Sequence, residues 1–235
     1  MARDVNALFE LLDRWRHLPN YQLERRADIF FGLYLPKLLG DRFDVSIQGV
    51  VPEFPIKRDL IWPSHPTNKS VKVDYVALSK DRGRCFFVEL KTDVESRREA
   101  QDHYLETCRE LGFVTILDGL LSIVKASSAH QKYFHLLSEL AGQNCLNLPP
   151  ELAEFIFPQA RPGLRKLQEQ IEVCVERGEF EIEVVYIQPI VPQDNPDRVI
   201  GFEEMASWLE GKDEIAQVFA EYLRRWTRPA GALTR

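Results

Sequence analysis

The sequence predicts an α/β or α+β fold built on a mixed central sheet flanked by helices. Strand-like stretches occur at about 43–51, 71–78, 84–90 and 180–187, while helical patterns precede, separate and follow them. This order of helix, three strands, helices, strand and helix is unlike the strict alternation of an all-parallel doubly wound sheet. We therefore expect one α/β domain over residues 1–235, with extra helices at its C-terminal end.

Composition agrees with a globular chain of this class. The 235 residues are 45% hydrophobic and 28% charged, with a formal net charge of -6. No apolar run approaches the length of about 18 residues that a membrane span needs, so we expect no membrane association.

Two helices are predicted at the N-terminal end. The pattern from Asn6 to Leu39 is helical, with a break at Leu18–Asn20. Asn20 is a suitable N-cap for a second helix from Tyr21 to about Leu35, and Pro36 would end or kink that helix.

The first three strands follow. Residues 43–51 alternate as a strand does, whereas 52–69 contain four prolines and are predicted to form a long loop that includes Trp62. Val71–Leu78 and Arg84–Leu90 are strand patterns joined by a turn at Lys80–Gly83.

Thr92–Glu95 fits a capping box, which predicts a helix from about Asp93 to Leu111. Two more helices are expected within 114–143, and another over about 163–177 that ends near Gly178.

The last elements are a fourth core strand at about 180–187 and a helical region at about 202–226, interrupted near Gly211. The helical region has more apolar residues than one solvated helix needs, so we expect it to pack on the sheet core, with dimerisation as the alternative.

Several common enzyme classes lack their motifs here. The sequence has no phosphate-binding glycine motif, no G-x-S-x-G elbow and no histidine pair at metal-ligand spacing. Its four cysteines form no C-x-x-C pair and lie among apolar residues, which predicts reduced, buried thiols in a cytoplasmic protein.

Two carboxylates in apolar strands are the most informative feature. If the turn centres between Asp81 and Arg82, facing residues have numbers that sum to 163, which pairs Asp74 with Glu89. Lys91 shares the face of Glu89 because side chains two apart in a strand point the same way. A hard divalent cation would offset the repulsion between the carboxylates. The alternative is a solvated cluster at a sheet edge.

Glu24 is a third candidate carboxylate. It shares a helical stripe with Phe31 and Leu35, which places it at the buried edge of the first helical turn. The alternative is a structural role, since an acidic side chain near a helix N-terminus also interacts favourably with the helix dipole.

One face of the helix after Glu89 carries Arg97, Gln101, Tyr104 and Cys108. Arg97 and Gln101 lie near the helix start and can reach the carboxylate site, whereas Tyr104 and Cys108 are more typical of a core.

A helix with Glu24, a strand with Asp74 and a next strand with Glu89-x-Lys91 resemble the PD-(D/E)xK nuclease superfamily over about residues 20–111. Gln101 with Tyr104 is similar to the Gln/Tyr motif of its RecB-like exonuclease branch. Two departures are a spacing one residue shorter there and Val73 in place of the proline.

The resemblance implies a restriction-endonuclease-like core and Mg²⁺-dependent hydrolysis of nucleic acid, DNA more than RNA, with Mn²⁺ as a substitute. It implies that Asp74, Glu89 and the Leu90 carbonyl bind the metal, that Glu24 assists directly or through water, and that Lys91 acts on the attacking water. Lys72, Arg97, Gln101 and Tyr104 would support the site or bind nucleic acid.

Charge is distributed in favour of a polyanion. Between Lys57 and Arg98 there are ten basic and six acidic residues, a local charge of +4, which leaves -10 for the remainder. The alternative functions are a catalytically inactive nuclease fold that serves as a binding or scaffold subunit and, less favoured because histidine ligands are lacking, a small-molecule metal hydrolase. A protein partner or a homodimer is expected for the acidic remainder.

Overall fold

The computed structural model describes residues 2–64, 67, 69–93, 98–127, 130–153, 164–193 and 198–227. The helices are α1 (Ala2–Trp15), α2 (Leu23–Phe43), α3 (Arg58–Ile61), α4 (Glu99–Leu111), α5 (Phe113–Ala126), α6 (His130–Gly142), α7 (Pro150–Ala153), α8 (Leu164–Glu169), α9 (Phe202–Leu209) and α10 (Glu214–Trp226). The strands are β1 (Ile47–Lys57), β2 (Ser70–Ser79), β3 (Arg84–Leu90), β4 (Leu146–Asn147), β5 (Glu172–Val173), β6 (Glu181–Gln188) and β7 (Val199–Gly201). Over these residues, no helix has the length and apolar character needed to cross a bilayer.

A five-stranded sheet in the order β1-β2-β3-β6-β7 confirms the predicted α/β class with a mixed central sheet. β1 and β2 pair antiparallel, and β6 and β7 pair parallel. Hydrogen bonds from Glu181 N to Gly83 O (2.9 Å) and from Lys91 N to Ile187 O (2.9 Å) join β6 and β3 at corresponding ends, so these strands also run parallel. β4 and β5 form a separate small antiparallel sheet.

The contacts of the chain group it into two compact units. Unit 1 comprises Met1–Asp44, Val88–Gln101 and Val184–Arg235, and unit 2 comprises Val45–Phe87 and Asp102–Glu183. Because these ranges interleave along the chain, neither unit is a continuous segment. The single nuclease-like domain over 1–235 stays a prediction.

Unit 1 has an aromatic core. The rings of Phe9 and Phe219 stack at 5.6 Å, and Phe31 meets Phe219 edge-on at 5.1 Å. α10 packs against α1 and α9, and α9 contacts β7. The predicted burial of the C-terminal helices is confirmed, and their partners include the N-terminal helix as well as a strand. Their buried apolar residues include Met205, Leu209, Val218, Tyr222, Leu223 and Trp226.

Unit 2 is centred on the β1–β2 pair and on helix α5, which packs against β1. Phe113 on α5 lies 6.3 Å from Phe54 on β1, measured between ring centroids. Gly119 on α5 faces α3 and the end of β1, because a Cβ atom there would lie only 2.5 Å from a methyl carbon of Leu60 and 3.3 Å from the Cβ of Lys57. The absence of a side chain at this position therefore allows α5 to pack closely there.

Helix α2 differs from its prediction at both ends. Asn20 adopts a left-handed backbone conformation (φ 63°) outside the helix, and Gln22 occupies the N-cap position without a side-chain cap. The helix also continues through Pro36 to Phe43. Leu38 and Leu39, beyond the proline, are buried. Their burial compensates for the cost of about 3 kcal/mol that an interior proline imposes.

Strand β1 is longer than predicted and includes Pro52 and Pro55, which the sequence analysis assigned to a loop. β1 lies at the edge of the sheet. A proline is tolerated there because one side of an edge strand needs no N–H donor. Glu53, between the prolines, has a left-handed backbone conformation (φ 52°).

The helices and strands after β3 also differ in part from the sequence predictions. α4 begins at Glu99 instead of about Asp93, and residues 94–97 of the predicted helix start lie outside the described residues. The helix expected over about 163–177 is confined to α8, because the chain then pairs as β5 with β4. The two helices within 114–143 and the break near Gly211 are confirmed. The short strand β7 was not predicted.

Candidate functional site

The candidate site begins where β3 ends. Glu89 is 1% exposed and Lys91 is 5% exposed, although both are charged residue types. The Lys91 ammonium donates to Glu89 Oε2 at 3.2 Å and to the Leu90 carbonyl at 2.9 Å. The backbone N–H of Lys91 still bonds to Ile187 O on β6. The extended backbone therefore continues past Leu90 and places the two charged side chains on the same face.

Gln101 brings a second donor to the carboxylate. It lies in the first turn of α4, and its side-chain amide nitrogen donates to Glu89 Oε2. One oxygen of Glu89 thus receives hydrogen bonds from an ammonium and from an amide. The structure joins Gln101 to Glu89, two residues that the sequence analysis assigned to one site.

The burial of Glu89 explains why such partners are needed. A carboxylate removed from water loses its hydration, and this loss is tolerable only when a cation and hydrogen-bond donors replace the water. Lys91 and Gln101 supply both within unit 1. The result is a buried polar cluster in which the acceptors of Lys91, a carboxylate and a carbonyl, are also oxygen ligands suited to a hard cation.

Asp74 lies on β2, the strand next to β3 in the sheet, and is half-buried. The predicted turn is confirmed: β2 ends at Ser79 and β3 begins at Arg84, with Arg82 N bonded to Ser79 O at 3.1 Å. The pairing of Asp74 with Glu89, which counting outward from this turn gives, stays a prediction.

Glu53 is a carboxylate near Asp74 that the sequence analysis missed. Pro52 pairs with Tyr75, and the register stays in step on either side of this pair, so Glu53 lies opposite Asp74. The carboxylate of Glu53 forms an ion pair with the ammonium of Lys72. The alternation of β1 was hidden by its prolines, so the sequence offered no signal for this residue.

Lys72 and Tyr104 are also neighbours. The Tyr104 hydroxyl donates to the Lys72 carbonyl at 2.9 Å, and the Tyr104 ring is buried. The Lys72 side chain is exposed and lies two residues before Asp74, on the same face of β2. Tyr104 therefore fixes the backbone beneath an exposed cation in unit 2.

Glu24 and Arg97 complete the predicted set. Glu24 lies in the first turn of α2 and is half-buried, while Phe31 and Leu35 of its stripe are fully buried. Arg97 lies outside the described residues.

The cysteines divide into two classes. Cys85, Cys108 and Cys145 are buried, and burial raises their thiol pKa values, to about 12 for Cys108 and Cys145. Cys174 is exposed, contrary to the expectation that all four would be buried. It lies beside the short strand β5, where the predicted helix is absent.

The side chains present bear on whether the site can hold a metal ion. Within the described ranges, no three histidine, cysteine, aspartate or glutamate side chains gather closely enough to hold a metal ion. Mg²⁺, however, is commonly held by one or two carboxylates and retains several waters. Glu89 and the Leu90 carbonyl are oxygen donors of that kind, so the donor chemistry at the end of β3 fits this ion.

Comparison with protein-family models, with characterised proteins and with solved structures yields no match for this chain. The functional conclusion therefore depends on the residues and geometry described above.

Proposed function

We propose that this protein is a Mg²⁺-dependent nuclease of the PD-(D/E)xK type, with Mn²⁺ as a substitute. The observation that carries the proposal is the buried Glu89–Lys91 pair at the end of a central strand, with the Leu90 carbonyl between them. A carboxylate and a carbonyl can hold a divalent cation, and an ammonium can neutralise charge on a phosphate, so these three consecutive residues have groups suited to metal-assisted phosphodiester hydrolysis.

Each residue has a distinct role in this proposal. Glu89, the Leu90 carbonyl and Asp74 would hold the metal, and Glu24 would assist directly or through water. The bound ion would supply a more acidic water and compensate phosphate charge. Lys91 orients that water and neutralises charge that develops on the phosphate. Gln101 fixes the orientation of Glu89 through its hydrogen bond.

The charge distribution supports nucleic acid as the substrate, and the resemblance to the nuclease superfamily favours DNA. The segment from Lys57 to Arg98 has a local charge of +4 in a chain whose net charge is -6. A basic region around an acidic metal site attracts phosphates and concentrates them near the reacting groups.

A second candidate is a nuclease-like fold without catalysis that acts as a binding or scaffold subunit. It is favoured by the hydrogen bonds that Lys91 already makes to Glu89 and Leu90, since these satisfy the buried charge without a metal. A thermal melt in Mg²⁺ or Mn²⁺ separates the two candidates, because an ion that binds only the folded state raises Tm.

The decisive experiment measures cleavage of plasmid, single-stranded DNA and structured RNA in Mg²⁺ and in Mn²⁺. The parent protein should cleave at least one substrate, and Asp74→Asn should abolish both cleavage and the metal-dependent rise in Tm. Lys37→Ala is the matched control, since Lys37 is a 69% exposed lysine on α2. The nuclease proposal fails if the parent shows neither cleavage nor a metal-dependent shift.

A further inference from the structure

Four basic residues cluster at one end of the β1–β2 pair in unit 2. Lys57 ends β1 and lies opposite Ser70, next to Lys69. Arg58 begins α3, and its backbone N–H bonds to the Lys69 carbonyl at 3.0 Å. Lys72 follows on β2. The backbone pairing therefore gathers cations from two separate stretches of sequence.

Trp62 gives this basic cluster an aromatic surface. The backbone N–H of Trp62 donates to the Arg58 carbonyl at 3.0 Å, which fixes the backbone at the end of α3. The Arg58 guanidinium carbon lies 5.4 Å from the centre of the Trp62 ring. The indole is only half-buried and Arg58 is exposed. A cation and an aromatic ring thus meet at the protein surface.

The cluster carries more positive than negative charge. Lys57 pairs with Asp59 at 3.2 Å, and Lys72 pairs with Glu53. In the part of the chain that the structure describes, Arg58 and Lys69 have no carboxylate partner. Two surface cations, of which Arg58 lies against the Trp62 ring, are therefore available to an anionic ligand.

We propose that Trp62 and Arg58, with Lys69 and Lys72, form a base-stacking platform for single-stranded nucleic acid. Aromatic side chains stack on unpaired bases of any sequence, and adjacent cations bind the phosphates that connect them. A duplex hides the faces of its bases within its own stack, so the platform selects unpaired strands.

The platform also has a direction. Lys72 and Asp74 share one face of β2, so the basic residues lead along that strand to the carboxylate assigned to the metal site. The platform names single-stranded nucleic acid as the substrate class of the proposed nuclease. For what happens to the bound strand, this inference rests on the proposed function. Binding itself needs no metal and can be measured without cleavage.

A second tryptophan provides a matched control. The Lys212 ammonium lies 3.7 Å from the centre of the Trp208 ring in unit 1. Trp208 donates from its indole to Asp41, and Glu204 and Glu210 lie near it in sequence. The same cation–aromatic pair therefore occurs here among carboxylates that repel phosphate.

The experiment is fluorescence anisotropy with labelled oligothymidylate, oligouridylate and a DNA duplex, in EDTA so that no strand is cut. Trp62→Ala should weaken binding of the single strands about 5- to 150-fold, the range expected for one lost base stack. Trp62→Phe should retain most of the affinity, and Trp208→Ala should bind like the parent. Oligothymidylate and oligouridylate together distinguish DNA from RNA as the preferred strand.

The phosphate contacts have their own readout. Binding weakens as salt rises, so a plot of log affinity against log salt concentration has a negative slope. Lys69→Ala should make this slope less steep by about 0.7, the value for one phosphate contact on a single strand. The platform is refuted if Trp62→Ala binds single strands as tightly as the parent, or if Trp208→Ala loses as much affinity as Trp62→Ala. It is also refuted if Trp62→Ala weakens binding of the duplex as much as binding of the single strands. EDTA removes the metal, so binding and cleavage are measured separately. If the parent binds single strands in EDTA but does not cleave them in Mg²⁺, only the nuclease is refuted. If the parent cleaves in Mg²⁺ but Trp62→Ala binds single strands as tightly as the parent, only the platform is refuted.

Discussion

Two ion pairs lie at opposite ends of strand β3, and they differ in what surrounds them. Before the strand, Arg82 contacts Glu179 through two hydrogen bonds, of 2.7 and 2.8 Å, and also donates to the carbonyls of Asn144 and Cys174. These partners come from two separate stretches of sequence in unit 2, one at Asn144 and one at 174–179, and the pair is partly exposed. Arg82 therefore acts as a structural clamp.

After the strand, the Lys91 ammonium donates to its near neighbours in sequence, Glu89 and Leu90. The ion pair with Glu89 thus joins residues only two apart in the chain, yet both side chains are almost fully buried. A buried ion pair is costly to desolvate, and buried titratable groups with a specific charge partner are typical of functional sites. We therefore assign the Arg82–Glu179 pair to the stability of the fold and the Glu89–Lys91 pair to the proposed chemistry.

The largest difference is expected in activity. Lys91→Ala should lower the cleavage rate at least about 100-fold while the metal-dependent rise in Tm remains, because in the proposed mechanism Lys91 acts on the water and the phosphate and does not hold the metal. Arg82→Ala should cleave at the parent rate under conditions where it is folded. Glu24→Gln should show weakened metal affinity and partial activity at high Mn²⁺. If Lys91→Ala cleaves as fast as the parent, the role assigned to Lys91 is wrong.

Stability should show the next largest effect. Lys91→Met and Glu89→Gln each leave a buried group without its charged partner, so each should lower the free energy of unfolding by about 3–5 kcal/mol. The double variant should recover most of this loss, because a neutral pair needs no compensation. Urea unfolding of the four proteins measures the coupling. Additive losses would show that the pair is not a coupled unit.

Stability at acidic pH tests the contribution of the Arg82–Glu179 pair. Hydrogen bonds from Arg82 and from the Glu176 N–H lower the pKa of Glu179 from 4.5 to about 2. Since the folded-state pKa is depressed, this stabilisation is complete above about pH 4.5 and is lost as the pH falls toward 2. Glu179→Gln should show a flatter fall in stability across that window. Thermal melts at several acidic pH values measure the difference, and identical slopes would contradict the clamp.

The smallest effect concerns thiol accessibility. Ellman's reagent at neutral pH should label Cys174 rapidly and the three buried cysteines only after unfolding, because burial keeps their thiols protonated and inaccessible. Arg82→Ala should speed labelling of Cys145, since Arg82 holds the neighbouring Asn144 carbonyl. Equal labelling of Cys145 in parent and variant would show that the clamp does not limit local opening there.

Local sequence patterns correctly predicted the turn before β3, strand β3 itself and the break between the first two helices. The turn at Lys80–Gly83 and strand β3 follow from nearby residues, since Asp81 accepts from Ser79 and from the Gly83 N–H within the turn itself. The break between the first two helices was likewise visible in Leu18–Asn20. In these places, propensity and tertiary structure favour the same conformation.

Where distant packing decides, the sequence was less informative. Nothing near Pro36 shows that burial of Leu38 and Leu39 carries the helix onward, and nothing near Pro55 shows that it lies on an edge strand. The ammonium of Lys91 and the amide of Gln101 were assigned to one site from periodicity. Their convergence on a single oxygen of Glu89 depends on where α4 begins, which local patterns misplaced.

The two prolines of β1 have a consequence for how the protein behaves in a crowded solution. Exposed sheet margins are templates onto which other chains can add as further strands, the first step of many aggregates. Pro52 and Pro55 have no N–H to donate in the strand at one margin, and the left-handed backbone at Glu53 interrupts its regular pleat. At the opposite margin, β7 is only three residues long. Both outer strands therefore discourage recruitment of further chains.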